Sequence, residues 1–350
     1  MSLISMIAES ISKISNGATS RQSSGHQSLS QYLIDLPPDA RRIIREGRYA
    51  TILNRQSRIT FDPLTVKIAW LYLREAMALV PQGATLLTND EIVRVPNGFE
   101  VRDGRSQRFE VPAFLIDRFC VTNLQYAKFV DAGGYDNLDL WPQSVLPYLH
   151  RFTDQTEQIG PAGWTDGKPE PGTLRHPVTG ICWFEAHAYA TWIGKELPNS
   201  EQWQRAGTWS HKEAPNVEPQ YPWGNGFDSG KANLWKMASK GPCDVDEYPG
   251  GNTVNGVAQL IGNVWEWVDS QYSPSIADHI QFEDFPVHSE VRGGAFDTYF
   301  PAHATCHFRT GHPLTRRSEN LGFRCCLSAS NLVEEPEANY DTPKEMRNDC

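Results

Sequence analysis

The chain has 350 residues, with 32 Lys and Arg against 42 Asp and Glu and a formal net charge of −10. Hydrophobic residues make up 39% and charged residues 21%, a globular composition able to bury a core. An acidic balance with no long basic run ("RTGHPLTRR" is the nearest) argues against nucleic acid or a lipid surface as partner. No window reaches the ~20 apolar residues of a membrane span.

Residues 1–28 hold a short amphipathic stretch and the tract "SNGATSRQSSGHQS", which reads as a flexible leader. Glu9 interrupts its apolar residues, so it does not read as a signal peptide. Residues 29–76 space apolar side chains at three and four through "SLSQYLIDL", "PDARRIIREGRYATILNRQ" and "DPLTVKIAWLYLREAMALV". Pro and Asp stand at the starts of the latter two, as helix openings require. This is a small helical element, suited to docking or oligomerisation.

From Met77 the texture changes to short β runs, turns and Trp-rich loops. "RFEVPAFLIDRFCVTN" alternates like a strand, and "NLQYAKFVDAGG" predicts a helix closed at Gly133. Two further helices are expected in residues 176–207, split at Leu197-Pro198, with no long helix after Trp209. Residues 329–350 form a polar tail. Eleven Trp, 24 Pro and 27 Gly predict a loop-rich fold pinned by buried indoles. The seven cysteines (120, 182, 243, 306, 325, 326 and 350) show no CxxC spacing. Their odd number and the vicinal Cys325-Cys326 pair read as reduced thiols of a cytoplasmic protein.

In "GNVWEWVDS" (262–270), Trp265 and Trp267 fall on one side of a strand and Glu266 on the other. Arg324 in "ENLGFRCC" (319–326), beside the apolar Phe323, calls for a buried carboxylate, Glu266 or Asp269. The run "RGGAFDTYFPAHATCHFRTGH" (292–312) gathers a cysteine, three histidines, two arginines and several aromatics. It admits a metal site on His303, His307 and His312, a Cys306 nucleophile with a histidine base, or a recognition face. As a strand it would hold His303 and His307 about 13 Å apart, too far for one ion.

With "HPVTGICWFEAHAYATWIGKELPNSEQWQRAG" (176–207) and "VRGGAF" (291–296), these segments carry a family resemblance in their order and spacing. From about Met77 to Leu327 the chain resembles the formylglycine-generating enzyme, or sulfatase-modifying factor, family. That resemblance implies an α+β, loop-rich variant of the C-type lectin fold over residues 77–328, here preceded by the helical element. In catalytic members it implies a cysteine pair after the "RGG" strand that binds Cu(I), an ion suited to soft thiolates. The run "FDTYFPA" has no sulfur there, and Cys306 falls too late. The sulfoxide-synthase branch takes its iron histidines largely from an added helical domain, whereas His26 is the one histidine before residue 77 here.

The resemblance further places Asp297, Thr298, Tyr299, Phe300, His303, His307 and Arg309 on the ligand-facing surface. It also implies a structural Ca2+ held by Asn233, the Leu234 carbonyl and Asp244, with oxygen donors as Ca2+ prefers. The expectation is a non-catalytic binding protein that recognises a protein partner without copper or iron. The alternatives are a metal-dependent oxidoreductase with a rearranged site and a sulfatase-modifying oxidase with an unexpected cysteine arrangement. The sequence does not give the oligomeric state.

Overall fold

Gly47 decides how the helical element begins. Its φ of 87° suits glycine and divides the expected long helix into Pro38–Arg45 (α1) and Tyr49–Leu53 (α2). The third helix, Pro63–Ala76 (α3), starts on Asp62, whose carboxylate accepts the Thr65 N–H at 3.0 Å. Ile68, Ala69 and Leu73 of α3 are buried with Ile44, Ile52 and Leu53. That cluster also takes in Met77, Leu115 and Leu327 from the strands beyond. The computed structural model describes residues 33–95, 98–209, 218–235, 241–272, 275–276 and 287–336. The expected leader at 1–28 lies outside the described residues, as does the tail beyond 336.

Ten strands and three further α-helices follow among the described residues. The strands are Met77–Val80 (β1), Gly83–Val95 (β2), Gly98–Val111 (β3), Phe114–Asp117 (β4), Trp265–Gln271 (β5), Ser275–Ile276 (β6), His288–Arg292 (β7), Arg309–Pro313 (β8), Leu321–Phe323 (β9) and Cys326–Ser328 (β10). The helices are Asn123–Asp131 (α4), Trp183–Trp192 (α5) and Ser200–Thr208 (α6). Pro112, which lacks an N–H, separates β3 from β4 where the sequence alone reads one run. Thr122 and Gln125 form a capping box at α4, and Asn199 with Gln202 does so at α6.

The strands form three small sheets, ordered β1-β4-β10, β3-β2-β6 and β8-β7-β5-β9. In the first, Ala78 and Cys326 both stand opposite Ile116, so the two ends of the domain meet on β4. In the third, Trp267 is flanked by Val291 of β7 and, in parallel register, by Phe323 of β9. Both Trp265 and Trp267 are buried, the latter completely. Glu266 on the opposite face is buried as well, because α6 covers it and Trp203 Nε1 donates to Glu266 Oε2 at 2.8 Å. The result is the α+β, loop-rich architecture expected from the sequence. Among the described residues no helix is long and apolar enough to cross a membrane.

One buried contact ties the helical element to the domain. Lys195 Nζ donates to Asp117 Oδ1 at 2.6 Å and to the Tyr49 hydroxyl at 3.0 Å. Asp117 Oδ2 in turn accepts the Cys325 N–H at 3.0 Å.

Candidate functional site

The end of β7 is fixed before the chain turns outward. Arg292, fully buried, donates to Glu290 Oε1 at 2.8 Å, to Gln204 Oε1 at 2.9 Å and to the Cys306 carbonyl at 2.7 Å. Gly293 then passes so close to Leu260 that a Cβ would lie 2.4 Å from its carbonyl oxygen. Thr298 fastens the next turn: its Oγ1 accepts the Ala295 N–H at 2.8 Å, and its carbonyl accepts the Trp235 N–H at 3.2 Å. The loop is therefore held at its base while its tip meets solvent.

At that tip Tyr299 is 67% exposed, Phe300 58% and neighbouring Trp235 52%. Their rings touch in sequence. Trp235 lies 6.3 Å from Tyr299, Tyr299 5.1 Å from Phe300, and Phe300 5.6 Å from His303. His303 stacks on Phe308 at 4.5 Å, and Phe308 lies 6.0 Å from the core ring of Trp265. A continuous line of rings thus runs from the surface to the centre of the domain. Edge-to-face and offset contacts at these distances are favourable, and they restrict each ring's motion.

Of the seven residues expected on this face, Asp297, Tyr299, Phe300 and His303 are exposed. Thr298, His307 and Arg309 are half-buried and already engaged. His307 Nε2 lies 3.1 Å from the Pro219 carbonyl, and Arg309 Nη1 lies 3.3 Å from Glu290 Oε2. Asp297 Oδ2 accepts from Asn320 Nδ2 at 2.9 Å. The sequence reading missed Trp235, although "KANLWK" places it two residues after Asn233. Its neighbourhood with Tyr299 is set by the fold and not by chain distance.

The other chemistries considered for this run find less support in the geometry. Cys306 is fully buried, its N–H donates to the Gln220 carbonyl at 2.7 Å, and burial pushes its thiol well up. Burial that disfavours the thiolate makes this cysteine poorly placed to act as a nucleophile. His303 is stacked on Phe308, His307 is held at Pro219, and His312 lies 6.3 Å from Trp267. Among the described residues no three or more His, Cys, Asp or Glu side chains are grouped to hold a metal ion. The segment Phe296–Ala302 offers oxygen and ring atoms, so its donor set does not fit a thiolate copper centre.

Of the residues expected at a Ca2+ site, Asn233 and Leu234 are buried and Asp244 is half-buried. Buried Asn233 donates through Nδ2 to the Gly241 carbonyl at 3.2 Å and to Asn263 Oδ1 at 3.1 Å. Asp244 lies 3.4 Å from Arg175 and 3.6 Å from His176. Leu234 is buried between Asn233 and the exposed Trp235.

A profile described as "Sulfatase-modifying factor enzyme 1-like domain" matches residues 73–329. The chain belongs to this family. The fold of this sulfatase-modifying factor protein is accordingly the family's variant of the C-type lectin fold, with small helices in front. The "Inactive C-alpha-formylglycine-generating enzyme 2" of Mus musculus is 31% identical over 296 residues, covering 74% of this chain and 88% of that protein. A "Hercynine oxygenase" of Mycolicibacterium smegmatis is 32% identical over 206 residues, 56% of this chain and 46% of its own. The chain thus spans about half the length of that oxygenase. The "Formylglycine-generating enzyme" of Thermomonospora curvata is 30% identical over 230 residues, covering 57% of this chain and 73% of that one. The family therefore includes an inactive member beside enzymes.

Proposed function

We propose that this protein is a non-catalytic recognition module of the cytoplasm, which holds a protein partner through the exposed rings of Trp235, Tyr299 and Phe300. The observation that carries this reading is the ring line itself. Tyr299 and Phe300 stand in solvent at the tip of a loop whose base is fixed by Thr298 and Arg292, and the exposed ring of Trp235 stands beside them from a neighbouring segment. Rings already ordered by their neighbours lose little freedom on binding, and aromatic anchors dominate protein–protein interface energies. Asp297, Asn320 and His303 supply a polar surround of the kind that orients a partner. The inactive relative from Mus musculus, similar over most of its length, supports a role without catalysis.

The test is capture of partners from the source organism's lysate by wild type and by Tyr299→Ala/Phe300→Ala. The double variant should lose at least about tenfold of the captured partner, because interface aromatics each contribute a kcal/mol or more. Its unfolding free energy should change by less than about 1 kcal/mol, as for exposed sites generally. Purified wild type carrying iron or copper near one equivalent per chain would instead favour a metal-dependent oxidoreductase.

A further inference from the structure

The first helix carries three arginines within five residues: Arg41, Arg42 and Arg45. Lys128 of α4 comes up against its C-terminal end, where Nζ donates to the Arg45 carbonyl at 2.7 Å. Between these groups lies an open cavity of about 450 Å³, lined by Pro38, Arg41, Arg42, Arg45, Glu46 and Lys128. Four cations and one carboxylate give this lining a formal charge of +3 (4 − 1) in a chain whose total is −10.

Few of these charges are neutralised locally. Glu46 is paired with Arg48 at 3.1 Å, and Arg48 does not line the cavity. Arg42 reaches Asp39 only at 3.9 Å, with both side chains largely in solvent. Arg45 has no carboxylate within 4 Å among the described residues. Arg41 spends Nη2 on the Ile34 and Leu36 carbonyls, while its Nε is buried without a hydrogen-bond partner. Burial lowers the pKa of Lys128, opposed by Glu46, so this ammonium lacks full solvation.

The helix dipole accounts for Arg42 and Arg45 in the last turn. Lys128 likewise caps the carbonyl end of that helix, which leaves the unfilled donor on Arg41 without an account. Arg41 and Arg45, four residues apart on one helix, also repel each other. An occupant with several negative oxygens relieves this repulsion and balances the positive lining. We propose that this cavity binds a small molecule bearing a diphosphate or polyphosphate group. Guanidinium forks match pairs of phosphate oxygens, and lysine adds a point charge. The volume is in the range of small-ligand sites, and none of the lining residues belongs to the aromatic tip.

The full chain would be titrated at low ionic strength with pyrophosphate and with ADP by calorimetry, and sedimented with phosphatidylcholine–phosphatidylserine vesicles. Saturable one-to-one binding of either anion is expected, weakened at least about tenfold by Arg42→Gln/Arg45→Gln, since both forks act on the ligand. A thermal melt checks the fold. Arg45→Gln alone, at a side chain without an ion partner among the described residues, serves as a second variant and should show at least about threefold weakening. Arg108→Gln, on exposed β3, should bind as wild type does. Heat signals that never saturate up to about 1 mM of either probe, a limit matching the weakest useful affinities, would overturn the proposal. So would equal weakening by Arg108→Gln, or vesicle capture without binding of either small anion.

Discussion

Arg324 and Glu266 meet in a two-pronged contact, Nε to Oε2 and Nη2 to Oε1, each at 2.7 Å, with both side chains essentially out of solvent. The guanidinium also donates to the carbonyls of Asp117 at 3.1 Å and Ala258 at 2.8 Å, so one side chain binds four parts of the chain together. Arg324→Met leaves the carboxylate buried without its counter-charge. We expect a loss of roughly 3–5 kcal/mol in urea unfolding, the usual cost of breaking a buried pair. A loss below about 1 kcal/mol would mean that water reaches Glu266.

Trp267 fills the centre of the third sheet. Truncation to alanine should cost ~3–5 kcal/mol, as large aromatic deletions do, and lower the melting temperature accordingly. An unchanged melt would contradict its complete burial.

The six described cysteines are free, and burial is the main cause that raises each thiol above its ordinary value. For half-buried Cys243 the pKa is pushed up to about 12. The unfolded chain ionises its thiols first, so this contribution to stability is whole below the unfolded thiol value. It then declines as pH rises from there toward about 12. Urea midpoints should therefore fall between pH 8 and pH 10.5 (both values about those of ordinary buffers spanning a free thiol). A rising midpoint over that interval would contradict the burial.

Gly207 of α6 faces Cys306 so closely that a Cβ would lie 2.7 Å from the sulfur. Gly207→Ala alone should destabilise by about 1–3 kcal/mol through overpacking. Combined with Cys306→Ala, most of that loss should be recovered, and a double-mutant cycle measures the coupling. Strict additivity would show that the two residues do not touch.

The sequence revealed those parts of the protein that rest on local rules. Asp62, Thr122 and Asn199 cap their helices as their residue types predict, and Leu197-Pro198 separates α5 from α6. The partner of Arg324 was narrowed to two carboxylates, of which the structure selects Glu266. Gly47 and Pro112 were harder, because a single residue interrupts an otherwise continuous pattern. What depends on long-range approach stayed hidden. Trp235 joins the aromatic tip across more than sixty residues of chain, a separation that spacing cannot read. Lys128 likewise meets α1 only through folding, and "RTGHPLTRR" stood out as the basic run instead.

Tyr49 stands on the second helix, Asp117 on β4, and Lys195 between α5 and α6, yet the three share one buried contact. The apolar cluster around Leu53 likewise draws on Leu115 and Leu327. The step from helix to strand at Met77 is thus a change of backbone shape within a single shared interior. A gene fragment cut there would inherit half of that interior on each piece, with Lys195 and Asp117 facing water where Tyr49 had been. Recombination that swaps such front helices between relatives must carry matching residues on β4 and β10, or the transplanted helices will find no seat.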